Sequence, residues 1–468
     1  MGPLQIRKRY VTVYNWNVNG NILPVGTESR KGGVMQYRVL ARATLAFAIW
    51  SSSASARDKV EVWVVGEPGT EVVYDRLAAR FNERHPQMEL VLTKNTSDIF
   101  NPALVPALSS DEGPDLFMYG TGPGYPAAII SAGLVEDLTP YYRKYGWDSV
   151  IPEAIVDVTS ANGKLWAVGN EVESTAMFYN RAIFDRFDLR APTSWAELEQ
   201  AVAKLKENGF ETPIGLGAAD KWPTWLWQST LFGRYAKPAG VREVLFADGS
   251  WNGDAFQAAA SRFQQMGQQG FFGATPVATG NAEIMEAFWA GRIPMTFSGT
   301  FALRSAEKSA GERLSDFGVF ELPPMREGEV VYPAEGIGSG WYIRASSRHK
   351  DVAAEFLNFM FFSTEGRVEL LNSGTLPVGP LQNDLPKTSM PQLAADLVKL
   401  VDRDRHNGTI YAYLDGVTPS NMITIAYDGG QALLLGEMSA TEFVDQLEDA
   451  WREAKAKGEI LKVGGIRN

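Results

Sequence analysis

The sequence predicts an α/β fold arranged as two lobes, and two observations carry that expectation. The stretch from residue 59 onward alternates strand and helix patterns in βαβαβ order, which builds a largely parallel sheet with helices on its faces. The chain has 468 residues, more than one hydrophobic core usually serves, so its apolar residues divide between two lobes.

The elements follow in order. Residues 59–65 alternate Val60, Val62 and Val64 against Glu61 and Trp63, the period-two pattern of a half-buried strand, and GEPGT at 66–70 supplies a turn. A helix is expected from Glu71, with Val73, Leu77 and Phe81 on one face and Pro86 closing it. Residues 88–93 read as a second strand, 102–109 as a short helix and 116–119 as a third strand. Ser194 and Glu197 form a capping box ahead of the apolar stripe Trp195, Leu198, Val202 and Leu205, and Gly209 ends that helix. An amphipathic helix bearing Met285, Phe288 and Trp289 ends at Gly291, and residues 293–297 form a strand after it. A helix is expected over 352–361, and a last one runs from a Ser439/Glu442 capping box to Gly458.

Residues 35–56 read as a secretory signal peptide. Arg38 and Arg42 give the positive flank, ATLAFAIW at 43–50 the apolar core, and Ala54-Ser55-Ala56 the small-residue cleavage site. The apolar run falls short of the roughly 20 residues that span a bilayer. Residues before Met35 fit no usual signal peptide, so the expectation is a start codon placed too early. The first 56 residues hold seven basic and one acidic residue against a whole-chain charge of −11, which leaves −17 on the other 412. Such an acidic surface repels phosphate backbones and anionic headgroups, which argues against nucleic acid and membrane surfaces as partners. There is no cysteine, which excludes disulfides, thiolate catalysis and any cysteine-containing metal site.

In open α/β sheets ligands bind beyond the carboxyl ends of strands. The loops after the first and third strands therefore nominate Glu67 and Thr121 as binding residues. GTGPG at 120–124 is a poor phosphate cradle, because no Lys-Ser/Thr follows it and Pro123 removes an amide donor. The WPTWLWQ run at 222–228 puts Trp222, Trp225 and Trp227 within six residues. An aromatic plane beside hydroxyl-directed acceptors suits a sugar, whose apolar C–H faces lie next to polar rims. Three such residues cannot share one helical side, so one or two are expected to contact ligand. Ser298 and Gly299 follow the 293–297 strand and are further candidates, as are Gly338 and Trp341 in GIGSGWYI at 336–343. Tyr411 and Tyr413 share a face if TIYAYLDG is extended, which adds Tyr413. The three His, at 85, 349 and 406, lack metal-ligand spacing, and no nucleophile elbow, P-loop or His-Glu-x-x-His motif is present. No metal and no cofactor are expected.

Residues 161–198, ANGKLWAVGNEVESTAMFYNRAIFDRFDLRAPTSWAEL, resemble the hinge region of the carbohydrate-binding solute receptors of bacterial ABC importers. GLVEDL at 133–138, NAEIMEAFWAGRIPMTFSGTF at 281–301 and FGVFELP at 317–323 resemble later landmarks of that family, in the same order. The resemblance implies a two-lobe periplasmic-binding-protein fold with its ligand in the interlobe cleft. Its landmarks divide the chain into lobe I at 57–168 and 337–373, and lobe II at 169–336 and 374–468. It implies a carbohydrate ligand, permease subunits in the inner membrane as partners, a monomer, and a free periplasmic protein cleaved after Ala56, because a lipid anchor would need a cysteine there.

Glu171 and Glu173 lie just past that hinge, and residues two apart on a strand share a face, so both are expected to accept hydrogen bonds from sugar hydroxyls. Two rivals stand beside this reading. One is a secreted carbohydrate-active enzyme using Glu171, Glu173 or Glu335. A glycosidase, however, needs carboxyls on either side of the scissile bond rather than from one side. The other is a receptor of the same fold for a polyamine or glycerol phosphate, which would need inward carboxylates or inward Arg and Lys.

Overall fold

The computed structural model describes residues 57–462 except 67–71, 96, 111, 123, 125, 152, 380–390 and 408–410. The expected signal peptide and Glu67 therefore lie outside the described residues. Two sheets, each covered by helices, form the two lobes.

The first sheet has the order Met88–Asn95, Asp58–Val65, Leu116–Tyr119, Gly340–Ile343, Val168–Gly169. Its first three strands are parallel and the last two pair antiparallel, so the sheet is mixed at one edge. The alternation read at 59–65 is real: Val60, Val62 and Val64 are fully buried. They face Leu77 and Phe81 of the helix Val72–Arg84 and Phe356, Leu357 and Met360 of the helix Lys350–Phe362. The other face packs Phe117 and Tyr342 on Leu104, Leu108 and Ile129.

The second sheet has the order Tyr411–Ala412, Ala334–Gly336, Glu173–Asn180, Met295–Gly299, Ile214–Gly215. Phe317–Phe320 pairs the far half of the long Glu173–Asn180 strand. One face is an aromatic core of Trp225, Trp227, Phe232, Trp251, Phe263 and Trp451, and the other packs Phe178, Phe288, Trp289 and Leu397.

The chain passes between the sheets at segments that lie side by side. Asn170 N donates to Ser339 O at 2.9 Å and Val172 N to Leu376 O at 2.7 Å. Ile337, Leu376 and Val378 all belong to the core of the first lobe, so that lobe's packing extends past the boundary expected at 374.

Several local expectations shift. The strand expected at 293–297 runs Met295–Gly299, because Met295 to Gly299 pair in register with Tyr179 to Thr175. The Ser194 cap is only half a box: Ser194 Oγ accepts from Glu197 N, but Glu197 accepts from Thr193 N and Oγ1. The Ser439/Glu442 box is complete and starts the helix Ala440–Lys457. Tyr411 and Tyr413 do not share a strand, which ends at Ala412, and Tyr413 precedes the short helix Leu414–Val417.

Candidate functional site

Ile214–Gly215 and Met295–Gly299 run parallel, so both leave the second sheet at the same edge, where ligands of α/β sheets bind. Beyond the first strand the backbone makes a tight three-residue turn. Trp222 N donates to Asp220 O at 2.7 Å across Lys221, whose φ of 64° and ψ of −50° define the rare, strained γ-turn. Lys221 Nζ is held by Asp428 at 2.6 Å. This turn starts the helix Trp222–Phe246 and places the Trp222 ring edge-on to Phe301, with centroids 5.6 Å apart at 71°. Both rings are half-buried. Phe301 belongs to the turn Thr300–Ala302 that follows the second strand.

Three residues on, Arg304 stands 5.9 Å from the Phe301 ring and forms an ion pair with Glu171 Oε1. Glu171 lies in the first crossing beside Asn170, whose Oδ1 accepts from Tyr74 Oη at 2.7 Å and Trp341 Nε1 at 2.8 Å. Asn170 Nδ2 donates to Glu171 Oε1 at 3.3 Å, so a polar chain runs from the first lobe through the crossing to Arg304 in the second. Burial raises the Glu171 carboxyl above the usual carboxylate range, and Arg304 opposes that rise. Burial likewise works against the charge of Arg304, yet Glu171 and Glu173 hold its affinity for the proton above normal. Glu171 Oε2 is buried with no hydrogen-bond partner.

Glu173 begins its strand 8% exposed and lies against Gly338 in the second crossing. Gly338 has φ +58°, and a Cβ there would stand 2.6 Å from Glu173 Oε1. Thr121 Oγ1 donates to Gly338 O at 3.3 Å. A Cβ on Gly416 would lie 3.1 Å from the same hydroxyl, and one on Gly336 would lie 2.8 Å from Tyr413 Cβ. The third loop of the first lobe, the second crossing and the 413–416 segment thus meet at one point.

Thr121, Glu173, Gly338 and Tyr413 therefore come together, with Glu171 beside them through Arg304 and Trp222 through Phe301. The rest of the expected set is elsewhere. Trp225 and Trp227 are fully buried in the second lobe's core; Trp227 packs on Phe272 and Phe297 and Trp225 on Phe232. The helix is buried on all sides from Pro223 to Arg234, so both rings enter the core from opposite faces, while Trp222, at the first position, stays at the edge. Trp341 is fully buried in the first lobe's core, where its ring packs on Tyr74. Its indole N–H is already committed to Asn170, so it offers no stacking face. Ser298 is 2% exposed within the strand rather than beyond its end. Gly299 ends that strand, and a Cβ on it would meet the Phe301 ring at 2.3 Å, so its small size seats Phe301. Glu171 was expected to meet hydroxyls directly, and one of its oxygens is instead taken by Arg304.

Sequence reasoning missed Asn170, Phe301 and Arg304. No local signal marked the last two: the strand's end is set by its pairing with residues 175–179, so ending it at 297 put the loop two residues early, and the true loop begins at Thr300. Among the described residues no group of three or more His, Cys, Asp or Glu side chains could hold a metal ion. No helix among them is long and apolar enough to cross a membrane.

Comparison with known proteins gives these positions a context. A putative binding protein of Brucella abortus (strain 2308) is 22% identical over 339 residues, 72% of this chain and 80% of that one. The mannitol-binding protein of Pseudomonas aeruginosa is 24% identical over 317 residues, covering 65% of this chain and 69% of its own. A solved chitin oligosaccharide binding protein superposes with a TM-score of 0.74 at 19% identity, over 85% of this chain and 100% of that one, which shows the same two-lobe fold. The model of the family described as bacterial extracellular solute-binding protein matches residues 68–365, which include the strands of both sheets other than Asp58–Val65 and Tyr411–Ala412, the first two crossings, and Phe301 and Arg304. The chain belongs to the bacterial extracellular solute-binding protein family.

Proposed function

We propose that this protein captures a sugar in the cleft between its lobes and delivers it to the permease subunits of an ABC importer. The observation that carries the reading is the half-buried Trp222–Phe301 pair at the carboxyl edge of the second sheet, joined through Arg304 to the carboxylates of Glu171 and Glu173. Aromatic faces take the C–H faces of a sugar while the acceptors take its hydroxyls. The mannitol-binding and chitin-oligosaccharide-binding relatives support the same ligand class. Closure of the lobes on ligand shifts the population toward the form that the permease recognises. Micromolar affinity requires only about 8 kcal/mol. The protein is exported, cleaved after Ala56, and works as a periplasmic monomer.

The carboxylates support binding rather than glycoside cleavage. Gly336 pairs with Glu173 and Glu335 with Ser174, so the Glu335 and Glu173 side chains leave the sheet on opposite faces. Glu171 is bound to Arg304. Glycosidic cleavage needs a carboxyl on either side of the scissile bond.

A thermal-shift screen of neutral sugars, polyamines and phosphate esters tests the reading. Stabilisation by at least one sugar is expected. Stabilisation only by polyamines or phosphate esters, or by nothing in the screen, refutes it.

A further inference from the structure

The Trp222 ring is only as well placed as the turn that precedes it, and that turn is strained. Lys221 holds φ 64° and ψ −50°, a region that residues with a side chain rarely enter. Such a conformation persists only where its surroundings over-determine it, and around Lys221 they do. On one side the loop is tied to the segment that leads into the helix Asn281–Trp289. Ala218 N donates to Pro276 O at 3.1 Å, Ala219 N donates to Thr279 O at 3.1 Å, and Asp220 Oδ2 accepts from Asn281 N at 2.7 Å. On the other side the helix Ser420–Leu435 grips the loop at three places. Gln431 Nε2 donates to Ala218 O at 2.7 Å, and Lys221 Nζ donates to Asp428 Oδ1 at 2.6 Å. Gly430 approaches the start of the tryptophan helix so closely that a Cβ on it would stand 2.2 Å from Thr224 Oγ1. The Lys221 and Asp428 side chains are 43% and 59% exposed, so their ion pair adds little to overall stability. Its effect is local: it fixes the strained residue immediately before Trp222.

From this we infer that Lys221 is a positioning residue of the sugar site. Its ion pair with Asp428 locks the γ-turn, and the locked turn holds the Trp222 ring at 71° to Phe301 before any ligand arrives. The inference rests on the sugar reading above and adds to it a pair that acts through Trp222 rather than on the sugar. A ring fixed in advance loses less freedom on binding, so preorganisation raises affinity without a new contact. Without the pair, the turn is free to relax toward an ordinary conformation, and the ring it starts relaxes with it.

Isothermal titration of Asp428→Asn and Lys221→Ala beside the wild type tests this, with whichever of glucose, mannitol, maltotriose and chitotriose the wild type binds most tightly. Each variant is expected to lose about fivefold in affinity, the cost of one side chain left for the ligand to order, while its urea midpoint stays close to that of the wild type. Lys221→Arg, which keeps a cation facing Asp428, should recover most of the loss. Fluorotryptophan labelling read by fluorine NMR supplies the local signature, the Trp222 resonance being the one that disappears in Trp222→Phe. In ligand-free Asp428→Asn that resonance should shift or broaden while the others stay in place. Wild-type affinity in both variants, a loss of affinity with the Trp222 resonance unmoved, a shift of all the tryptophan resonances together, or a Lys221→Arg no tighter than Lys221→Ala overturns the inference and leaves the sugar reading standing. Binding of none of the four compounds, or wild-type affinity in Trp222→Ala, overturns the sugar reading and the inference with it.

Discussion

Replacing Gly338 by Ala tests the site at the place where backbone and side chain are both constrained. Gly338 has φ +58°, a conformation that costs an L-residue about 1–2 kcal/mol. The added Cβ would stand 2.6 Å from Glu173 Oε1 and 3.1 Å from its Cδ, inside any normal contact distance, so the carboxylate must move. The substitution therefore strains the second crossing and displaces a proposed ligand acceptor at once. Stability is expected to fall by about 1–2 kcal/mol, and sugar affinity at least tenfold, about 1.4 kcal/mol. Gly209→Ala is the control: Gly209 has φ +88° but nothing within 4 Å of its added Cβ, and it lies at the end of a helix in the second lobe. It should lose similar stability in urea denaturation and keep its affinity by titration calorimetry. If Gly338→Ala binds sugar as the wild type does, or if Gly209→Ala weakens binding equally, the placement of Glu173 and Gly338 at the ligand is wrong.

Three further outcomes are expected. Trp227→Ala should cost about 3–5 kcal/mol of stability by opening the second lobe's core, whereas Trp222→Ala should mainly abolish sugar binding; calorimetry beside denaturation separates the two, and the reverse pattern would move the aromatic platform. Ser439→Ala removes the side chain that caps Ala440–Lys457 and should cost about 1 kcal/mol in urea denaturation with sugar affinity unchanged. Hydrogen bonding to Arg84, joined by Arg80, holds the Glu365 carboxyl below its usual range. Its folded value is depressed, so its contribution is present above the unfolded carboxylate value of about 4.3 and is lost as pH falls through the folded one. The stability gap between wild type and Glu365→Gln should accordingly shrink on acidification from pH of about 6 to about 3, and a gap that widens would contradict the assignment.

The parts of the fold legible in the sequence were those whose pattern is set by one element alone. Val60, Val62 and Val64 announce a strand by alternation, and Ser439 with Glu442 announces a helix start by local hydrogen bonding. What the sequence hid depends on partners far along the chain. The strand at Met295–Gly299 is bounded by its pairing with residues 175–179, more than a hundred positions away, so its end could not be read from composition. That two-residue error concealed Phe301 and Arg304. Trp222, Trp225 and Trp227 look equivalent in a list of residues, and only the γ-turn at Lys221 and the burial of the helix on all sides from Pro223 onward separate the edge ring from the two core rings. Trp341 was plausible for the same reason, since nothing local tells that Asn170 takes its N–H. Gly338 was legible because glycine in a crossing states a backbone need whatever surrounds it.

A sugar bound between the two lobes should close them. Small-angle X-ray scattering of the mature protein, titrated with the sugar that gives the largest thermal stabilisation, tests it most directly. A saturable decrease in radius of gyration at one sugar per chain is expected, absent in Trp222→Ala at the same concentrations. A sugar that binds at that stoichiometry with no change in radius of gyration, or an equal change in Trp222→Ala, would contradict it.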